Sequence, residues 1–486
     1  MKKHRSTTTQ KPKRSARPKE PAYLSYFFGA SYKELWGTIR ESWVKNGKKI
    51  ASSAIDLIRV WHLYGFYKAL CLFIFRLGIL ISVAIFGTLF TLIFSALHIV
   101  IIFVLMILVY IGFIVLKFID AIFCLFKGIS TNCYNPNCER KFRLPIYRCP
   151  KCGRLHYHLV PSKYGILKRK CLCGTKLPTT FINGRQKLDA LCPYCNADAI
   201  KGVHRSYLIP VIGGPSSGKT CFVNMGIKAL QDSSSNYGLE FVYQNVPGDE
   251  YQSNIQYLDN GNLPMKTNDL RFKYYNFYLT KANSKIKNLV SICDIAGEVF
   301  TDRQLASEQE GYRFADGLVV IVDPLSITDY AKEVSSKASV TAYRGSAQSM
   351  NDVASCIVNT LEGLLHRNSK QSLGMYVAIV FTKLDIPGLD EEIGDVAINQ
   401  YIAAHPNTSV LDANNAVCED FLRRYNETSF LNIIKTRFKE VQFFSTTALG
   451  HNPSGQKFTP KNVAEPLLWV IDKASPAINL NAIWKR

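Results

Sequence analysis

The chain has 486 residues and a formal net charge of +22. It is too long for one ordinary domain, so two or three units are expected. The charge is uneven: residues 1–210 hold 33 Lys and Arg against 8 Asp and Glu, which leaves 26 against 29 in residues 211–486. Eight of the 14 cysteines form four close pairs between Cys133 and Cys195, which excludes a secreted disulfide scaffold and indicates metal binding in a reducing compartment.

The chain begins with a basic arm and an aromatic segment. Residues 1–20 carry eight Lys and Arg, one Glu and almost nothing apolar, which predicts a disordered arm. Next to a membrane segment such an arm is a positive-inside signal, and nucleic-acid binding is a further interpretation. Residues 21–76 mix Tyr, Phe and Trp with Lys and Arg, a pattern typical of amphipathic helices at a membrane interface, with a small soluble helical cap as the alternative.

Residues 77–116 contain no Asp, Glu, Lys or Arg. One helix of this length would rise roughly 60 Å, twice the hydrocarbon thickness of about 30 Å, so one straight span is excluded. We therefore predict a transmembrane α-hairpin over residues 77–126, with two spans and a turn near residues 95–98, the only locally polar place. Basic residues on both flanks place both termini and the C-terminal domain in the cytoplasm. The alternative is one tilted span with an interfacial helix, which puts the basic arm opposite the C-terminal domains.

Four cysteine pairs follow the apolar block. A pair on a tight turn supplies two thiolates to a tetrahedral zinc ion at little cost in chain entropy, so four pairs predict two closed structural sites. Sequential pairing along the chain and nested pairing, in which Cys149 and Cys152 join Cys171 and Cys173, are both compatible with the spacing. The predicted zinc ligands are Cys133, Cys138, Cys149, Cys152, Cys171, Cys173, Cys192 and Cys195.

This predicted two-zinc module, residues 127–205, is also basic, with 16 Lys and Arg against 3 Asp and Glu. Basic charge next to a membrane segment favours contact with anionic lipid head groups. A zinc ribbon with basic loops can also hold RNA or DNA, so nucleic-acid binding is the alternative.

Residues 213–220 match the pattern G-x-x-x-x-G-K-[ST], after an apolar strand pattern and before a helical one, which is the context that a phosphate loop requires. In such a loop backbone N–H groups converge on the phosphates, Lys219 reaches the terminal phosphates and Thr220 binds Mg²⁺. The predicted nucleotide-binding residues of this loop are Gly213, Gly214, Pro215, Ser216, Ser217, Gly218, Lys219 and Thr220.

Further apolar runs predict buried strands of a mostly parallel sheet covered by helices. One run ends at Asp294 in the pattern D-x-x-G, which after a phosphate loop predicts that Asp294 holds Mg²⁺ and that the N–H of Gly297 approaches the γ-phosphate.

Another run ends in the pattern [NT]-K-x-D, formed by Thr382, Lys383 and Asp385. The carboxylate of this pattern accepts hydrogen bonds that guanine donates and adenine does not, so it selects GTP over ATP.

Two loop segments of the C-terminal domain carry further predictions. Thr267 lies in a loop before a predicted antiparallel strand pair and is the candidate switch threonine that closes on Mg²⁺ and the γ-phosphate. Residues 324–374 exceed an ordinary crossover and contain a segment rich in Ser and Ala, 335–349, which is predicted to be a mobile loop.

The motifs appear in the order of a guanine-nucleotide switch and cover about residues 207–475. In this respect the chain resembles the TRAFAC-class, Ras-like P-loop GTPases. A narrower resemblance is to the bacterial double-GTPase family, which is inferred to act in multi-gene conflict or defence systems. It rests on three segments: F-A-D-G-L-V-V-I-V-D-P from Phe314, F-T-K-L-D from Phe381 and A-E-P-L-L-W from Ala464.

The resemblance implies roles for residues beyond these motifs. Thr447, Ala448 and Leu449 follow the last strand and look like the loop whose backbone N–H meets guanine O6 in Ras-like GTPases. Glu298 stands where these enzymes commonly place a water-positioning Gln, and its charge is repelled by the γ-phosphate, so slow hydrolysis is expected. The residues assigned to catalysis are Lys219, Thr267, Gly297 and Glu298.

The sequence therefore predicts an α/β P-loop GTPase domain, residues 206–486, preceded by the zinc-ribbon-like module and the transmembrane α-hairpin. The expected function is a membrane-anchored switch that binds GTP and Mg²⁺, carries two Zn²⁺ ions, hydrolyses GTP slowly and recruits or gates an unknown protein partner. A nucleic-acid-binding adaptor regulated by nucleotide and an ATP-driven membrane motor component are the alternatives. The oligomeric state is left open.

Overall fold

A computed structural model describes the chain at residues 19–133, 135, 138, 140–200, 204–244, 250–265, 273–282, 284, 287–294, 310–335, 343, 345–346, 348–368, 371–453, 456–475, 477–480 and 484. These residues fall into two compact units. The first unit comprises residues up to 127 together with 145–191, and the second comprises 128–144 together with the residues from 192 onward.

Two long helices form most of the first unit: α1, Ala30–Leu63, and α2, Phe66–Phe126. They run antiparallel, because Asp56 near the end of α1 lies 3.4 Å from Arg76 near the start of α2, whereas the start of α1 contacts Met106. α2 is apolar on all sides and most of its side chains are exposed, whereas α1 carries charged residues along its length. Among the described residues, α2 is the one helix long and apolar enough to cross a membrane, judged by length and composition alone.

The predicted turn near residues 95–98 is wrong, because α2 continues through these residues without a break. Local polarity does not end a helix, and this segment contains neither Gly nor Pro, while α2 as a whole contains no Pro. The chain reverses instead at Tyr64 and Gly65, between α1 and α2. The predicted hairpin of two spans within residues 77–126 is therefore not formed, and the topology derived from it is not supported.

Eight short strands lie in the described part of the remaining chain before residue 200. In the first unit β3 pairs antiparallel with β4 and with β7, and β5 pairs antiparallel with β6. In the second unit β1 pairs antiparallel with β2. The short strands are β1 Thr131–Asn132, β2 Lys141–Phe142, β3 Ile146–Arg148, β4 Leu155–His156, β5 Lys168–Lys170, β6 Lys176–Pro178, β7 Asp189–Leu191 and β8 Asp198–Ala199.

Two ion pairs with buried arginines hold the first unit together. Arg185 lies 2.9 Å from Asp120 near the end of α2, and Asp120 also accepts the N–H of Phe181 at 2.6 Å. Arg169 in β5 lies 2.8 Å from Glu20. A buried charge is tolerated only where a counter-charge and hydrogen bonds compensate it. These pairs therefore fix residues 145–191, which we call the β ribbon, to the end of α2 and to the segment before α1.

A seven-stranded mixed sheet forms the core of the second unit, in the order β10-β11-β12-β9-β13-β14-β15. β11 is antiparallel to both of its neighbours, whereas β12, β9, β13, β14 and β15 are parallel to one another. The predicted α/β class is therefore confirmed. The strands are β9 His204–Gly213, β10 Leu239–Gln244, β11 Lys273–Lys281, β12 Lys287–Asp294, β13 Gly317–Val322, β14 Tyr376–Phe381 and β15 Glu440–Ser445.

Helices cover both faces of this sheet. On the central strand β9, Leu208 and Ile212 belong to one apolar core, and Ile209 and Val211 belong to the other. Burial on both faces explains why the parallel strands are continuous apolar runs in the sequence. The helices of this unit are α3 Lys219–Ser233, α4 Tyr251–Asp259, α5 Thr328–Ser335, α6 Met350–Leu365, α7 Asp390–Ile393, α8 Asp395–Ala404, α9 Val410–Arg424, α10 Thr428–Arg437 and α11 Glu465–Ala474.

Candidate nucleotide-binding site

The predicted nucleotide-binding residues meet at one edge of the sheet. Parallel strands carry their carboxyl ends to the same edge, and ligands of open α/β sheets bind there. The phosphate loop follows β9, Asp294 ends β12, Thr382 follows β14 and Thr446 follows β15. Residues at these strand ends contact the phosphate loop and one another across this edge.

The phosphate loop joins β9 to α3 and contains all eight predicted residues, 213–220. Gly218 has a φ of +88°, a left-handed conformation that favours glycine. Lys219 is buried, and its Nζ donates to the carbonyl oxygens of Gly213 at 3.0 Å and Gly214 at 2.8 Å. The loop therefore holds its ammonium group close to the backbone that would surround a triphosphate.

The two described Mg²⁺ ligands predicted from the sequence are in direct contact. Thr220 at the start of α3 donates from Oγ1 to Oδ2 of Asp294 at 2.8 Å, and Asp294 is fully buried. A hydroxyl and a carboxylate oxygen are the donors that Mg²⁺ prefers, so this pair fits the ion. Cys221 lies beside it as a neutral thiol, because burial and then the charge of Asp294 raise the pKa of Cys221 to about 12.

The predicted base-binding motif contacts the phosphate loop. Thr382 donates from Oγ1 to the carbonyl oxygen of Ser217 at 2.9 Å, which joins the end of β14 to the loop. Asp385 accepts the hydroxyl of Thr447 on Oδ1 at 2.5 Å. A carboxylate oxygen has more than one lone pair, so this bond orients Asp385 and leaves acceptor capacity for a base.

The segment Thr447, Ala448 and Leu449 lies beside that motif, as the resemblance implies. The N–H of Gly450 donates to Oγ1 of Thr447 at 2.8 Å, so this hydroxyl bridges the turn after β15 and Asp385. Ala448 is buried and Leu449 packs against the apolar core on its side of the sheet. The structure thus brings the two base-side segments together.

Three residues of the site were not predicted from the sequence. Asp323 at the end of β13 lies 2.6 Å from Nζ of Lys383. Tyr343 donates its hydroxyl to the carbonyl oxygen of Asp385 at 2.9 Å, and Ser346 donates its N–H to Asp323 at 2.7 Å. An acid at the end of a buried apolar strand was a usable signal for Asp323. Tyr343 and Ser346 fall in the segment predicted to be a mobile loop, where nothing in the sequence marks a contact with the site.

Three of the predicted catalytic residues, Thr267, Gly297 and Glu298, lie outside the described residues. Their roles stay predictions. Of the four residues assigned to catalysis, the structure therefore describes Lys219, which is in the phosphate loop as expected.

The eight predicted zinc ligands form two groups, each with sulfur atoms that lie within 4.8 Å of one another. The nearest sulfur pairs are 3.5 to 3.7 Å apart. A tetrahedral zinc ion with Zn–S bonds of about 2.3 Å separates its sulfurs by about 3.8 Å, so both groups fit zinc. One group is Cys149, Cys152, Cys171 and Cys173 in the first unit, and the other is Cys133, Cys138, Cys192 and Cys195 in the second unit.

These groups decide between the two pairings that the spacing allows. The pairs are nested, so sequential pairing along the chain is excluded. Within the first group burial raises the pKa of Cys171 to about 12, whereas hydrogen bonds with Thr175 lower the pKa of Cys173 to about 6. Since zinc binds thiolates, metal binding here would release protons.

One edge of the α/β sheet carries a phosphate loop, a buried acid in contact with the threonine of that loop, and a motif with the guanine-selecting pattern. This arrangement defines a P-loop GTPase. Comparison with known families supports that class and narrows it. The family model Double-GTPase 2 matches residues 207–452, half of the chain, and the chain belongs to this family. No match was found among curated proteins.

Among solved structures, a similar chain is Roco2 RocCORdC of Methanosarcina barkeri bound to GDP. The sequence identity is 10%, the TM-score is 0.21, and the similarity covers 56% of this chain and 51% of that chain. The chain thus spans about half the length of that protein, and no functional argument follows from a similarity of this size.

Proposed function

We propose that this protein is a membrane-anchored switch that binds GTP and hydrolyses it to GDP and phosphate. The observation that carries the proposal is the meeting of Lys219, the Thr220–Asp294 pair and Asp385 at one sheet edge. Lys219 supplies a cation for the terminal phosphates, and Thr220 and Asp294 would hold Mg²⁺. When bound, Mg²⁺ neutralises charge that develops on the phosphate oxygens.

Selection of guanine is assigned to Asp385. A carboxylate accepts from the N1–H and the exocyclic amine of guanine, whereas adenine presents no matching pair of donors at that edge. Thr447 donates to one carboxylate oxygen, and Tyr343 donates to the backbone carbonyl of the same residue, so Asp385 is held at two points. A positioned acceptor loses less freedom when the base binds, which favours affinity.

Hydrolysis by the protein alone is proposed to be slow, at well below 1 s⁻¹, on the scale of isolated switch GTPases. The reason is Glu298, which stands in the place of a water-positioning Gln and carries a charge that the γ-phosphate repels. In the switch cycle, GTP would order the segments around Thr267 and after Asp294, and these segments would recruit or gate a protein partner. The biological setting proposed, on the resemblance alone, is a bacterial conflict or defence system.

α2 is the proposed membrane anchor, as a single helix that tilts or extends beyond the hydrocarbon, because it continues without a break through residues 77–116 and the hydrocarbon is about 30 Å thick. Its exposed apolar side chains surround the helix, and a surface of that extent is stable in lipid rather than in water. α1 carries Lys45, Lys48 and Lys49 near its middle, and these charges are too costly to place in hydrocarbon. Insertion of α2 therefore requires α1 to separate from α2 and lie at the membrane surface.

Carbonate extraction tests the proposed anchor. We expect the full chain to stay with the membrane pellet, and release into the supernatant would contradict the proposal.

The basic residues between 127 and 205 are proposed to contact anionic lipid head groups, each contributing about 1 kcal/mol near such a surface. Nucleic acid is the competing ligand for the same charge. Titration of RNA onto the full chain in vesicles with neutral and with anionic lipid separates the two. A steep salt dependence of RNA binding that persists in anionic vesicles would favour the nucleic-acid adaptor.

The nucleotide assignment is tested by replacing Asp385 with Ala. We expect the affinity for GTP to fall by about 100-fold or more, because charged hydrogen bonds to the base are lost, while weak binding of ATP stays unchanged. Calorimetric titration of both nucleotides with Mg²⁺ measures this, and Glu391→Ala, an exposed acid nearby, is the matched control. A wild type without guanine preference would support an ATP-driven motor instead.

A further inference from the structure

Asp323 is a buried carboxylate at the end of β13 that belongs to none of the nucleotide-binding motifs. Its side chain is fully buried, and it receives three donors. Oδ2 accepts from Nζ of Lys383 at 2.6 Å and from the N–H of Ser346 at 2.7 Å, and Oδ1 accepts from the N–H of Leu325 at 3.0 Å. A buried carboxylate requires such compensation, and the ion pair holds the Lys383 ammonium against Asp323.

Lys383 occupies the middle of the base-binding motif in an uncommon backbone conformation. Its φ is +59°, in the left-handed region that non-glycine residues seldom adopt without support. The turn around it is closed by the N–H of Ile386, which donates to the Lys383 carbonyl oxygen at 2.9 Å. Asp385 lies within that turn. A change in the Lys383 side chain therefore alters the support for the acid that would meet the base.

We infer that Asp323 is a positioning residue for guanine nucleotides, which acts through Lys383 and does not touch the nucleotide. The ion pair holds the Lys383 stem where it would lie along the base and keeps the turn with Asp385 in its binding geometry. This inference rests on the proposed binding of GTP. It predicts that Asp323 affects the base end of the site and leaves the phosphate end unchanged.

A double-mutant cycle on the full chain tests the inference, with GDP and GTP affinities measured by calorimetric titration. Asp323→Asn keeps the size of the side chain and removes its charge, and we expect it to weaken binding of both nucleotides about tenfold or more. The ratio of the GTP affinity to the GDP affinity should stay the same, because the γ-phosphate is remote from the base. In the background of Lys383→Met, which removes the ammonium, adding Asp323→Asn should change the affinity less than about twofold.

Equal affinity of wild type and Asp323→Asn would overturn the inference. So would a full additional loss in the Lys383→Met background, since Asp323 would then act through Leu325 and Ser346 alone. Asp329→Asn, which changes an acid in α5 that pairs with Asn426, is the matched control and should bind like wild type.

If Asp323→Asn does not yield folded protein, Asp323→Glu takes its place in the same cycle. It keeps the charge and moves it by one methylene, and a loss that depends on Lys383 is again expected. A wild type that binds neither GDP nor GTP would refute the proposed function. A wild type that binds both, with variants that bind equally well, would refute only the role of Asp323.

Discussion

The two four-cysteine groups share one ligand chemistry and differ in what surrounds them. The group of the first unit lies in a ribbon joined to α2 by the Arg185–Asp120 pair, which is 2.9 Å long and almost fully buried. The group of the second unit lies beside β1 and β2, where Lys141 is 3.2 Å from a partly exposed Asp316. Asp316 accepts the N–H of Leu208 in β9 at 3.0 Å. One group therefore lies in the part of the chain joined to α2, and the other lies beside the sheet that carries the nucleotide site.

Replacement of one predicted zinc ligand in each group should separate these two surroundings. We expect Cys171→Ser and Cys192→Ser each to lower bound zinc from two ions per chain to one, with a local loss on the order of several kcal/mol, because metal binding supplies folding free energy. Cys192→Ser should also reduce hydrogen-exchange protection of β9 and weaken GDP binding. Cys171→Ser should reduce protection of β5 and β6 and leave GDP binding unchanged.

Elemental analysis measures the zinc, and hydrogen exchange with calorimetry measures the rest. Cys418→Ser, which changes a buried cysteine outside both groups, is the control and should keep two zinc ions. If Cys171→Ser and Cys192→Ser changed the GDP affinity equally, the second group alone would not be coupled to the nucleotide site.

The next largest effect is expected at the buried ion pair of the first unit. Asp120→Ala leaves Arg185 buried without its counter-charge, which costs about 3–5 kcal/mol. The ribbon should then become sensitive to trypsin in detergent or lipid, while the GDP affinity of the second unit is retained. Gel electrophoresis separates the tryptic fragments, and mass spectrometry of these fragments shows whether cleavage occurs in the ribbon.

The exposed pair between Asp56 and Arg76 provides the matched control for that substitution. Both side chains are 44% exposed, and a pair of this kind contributes about 1 kcal/mol or less. Asp56→Ala should therefore leave the trypsin pattern of the ribbon unchanged. Equal proteolysis of both variants would show that the burial of the Arg185–Asp120 pair is not what stabilises the ribbon.

The smallest effect is expected for Lys141→Met in the second unit, about 1 kcal/mol at neutral pH. Burial raises the pKa of Asp316, and Lys141 opposes that rise. Without Lys141 the folded pKa of Asp316 lies further above its unfolded value of about 3.8, so ionisation of this acid costs more stability at pH 7. That cost disappears as the pH falls through the folded pKa.

Lys141→Met should be less stable than wild type at pH 7, and this difference in the free energy of unfolding should become smaller when the pH is lowered from 7 toward 4. Hydrogen-exchange protection of β9, measured for both proteins across this range, gives the difference. A difference that grows on acidification would show that Asp316 is not the titrating partner of Lys141.

Much of the nucleotide site could be predicted from the sequence because its motifs are local and lie at strand ends. The phosphate loop, Asp294 and Asp385 each follow a buried apolar run, and parallel strands bring such ends to one edge. The end of an apolar run marked the position of Asp323 but not its partner Lys383, and nothing marked Tyr343, because these contacts join residues dozens of positions apart in the chain. Contacts of that separation depend on the assembled fold and leave no periodic pattern.

In the first half of the chain, prediction from the sequence fails for a different reason. The cysteine spacing predicted two metal sites, but which pairs meet depends on how the intervening strands fold, so the nested arrangement had to come from the structure. The turn predicted near residues 95–98 is wrong because weak local polarity does not break a helix in a segment without Gly or Pro. The signal at Tyr64 and Gly65, where the helices separate, was the Gly beside the end of an amphipathic stretch.

β9 has a four-cysteine group beside one end and the phosphate loop at the other. It begins at His204, whose ring lies 3.4 Å from the hydroxyl of Thr131 in β1, and ends at Gly213. Ten residues of extended chain cover roughly 30 Å, and β12 and β13 pair with the strand on either side. A strand paired on both sides resists bending, so its His204 end and its Gly213 end at the phosphate loop are held at a fixed separation.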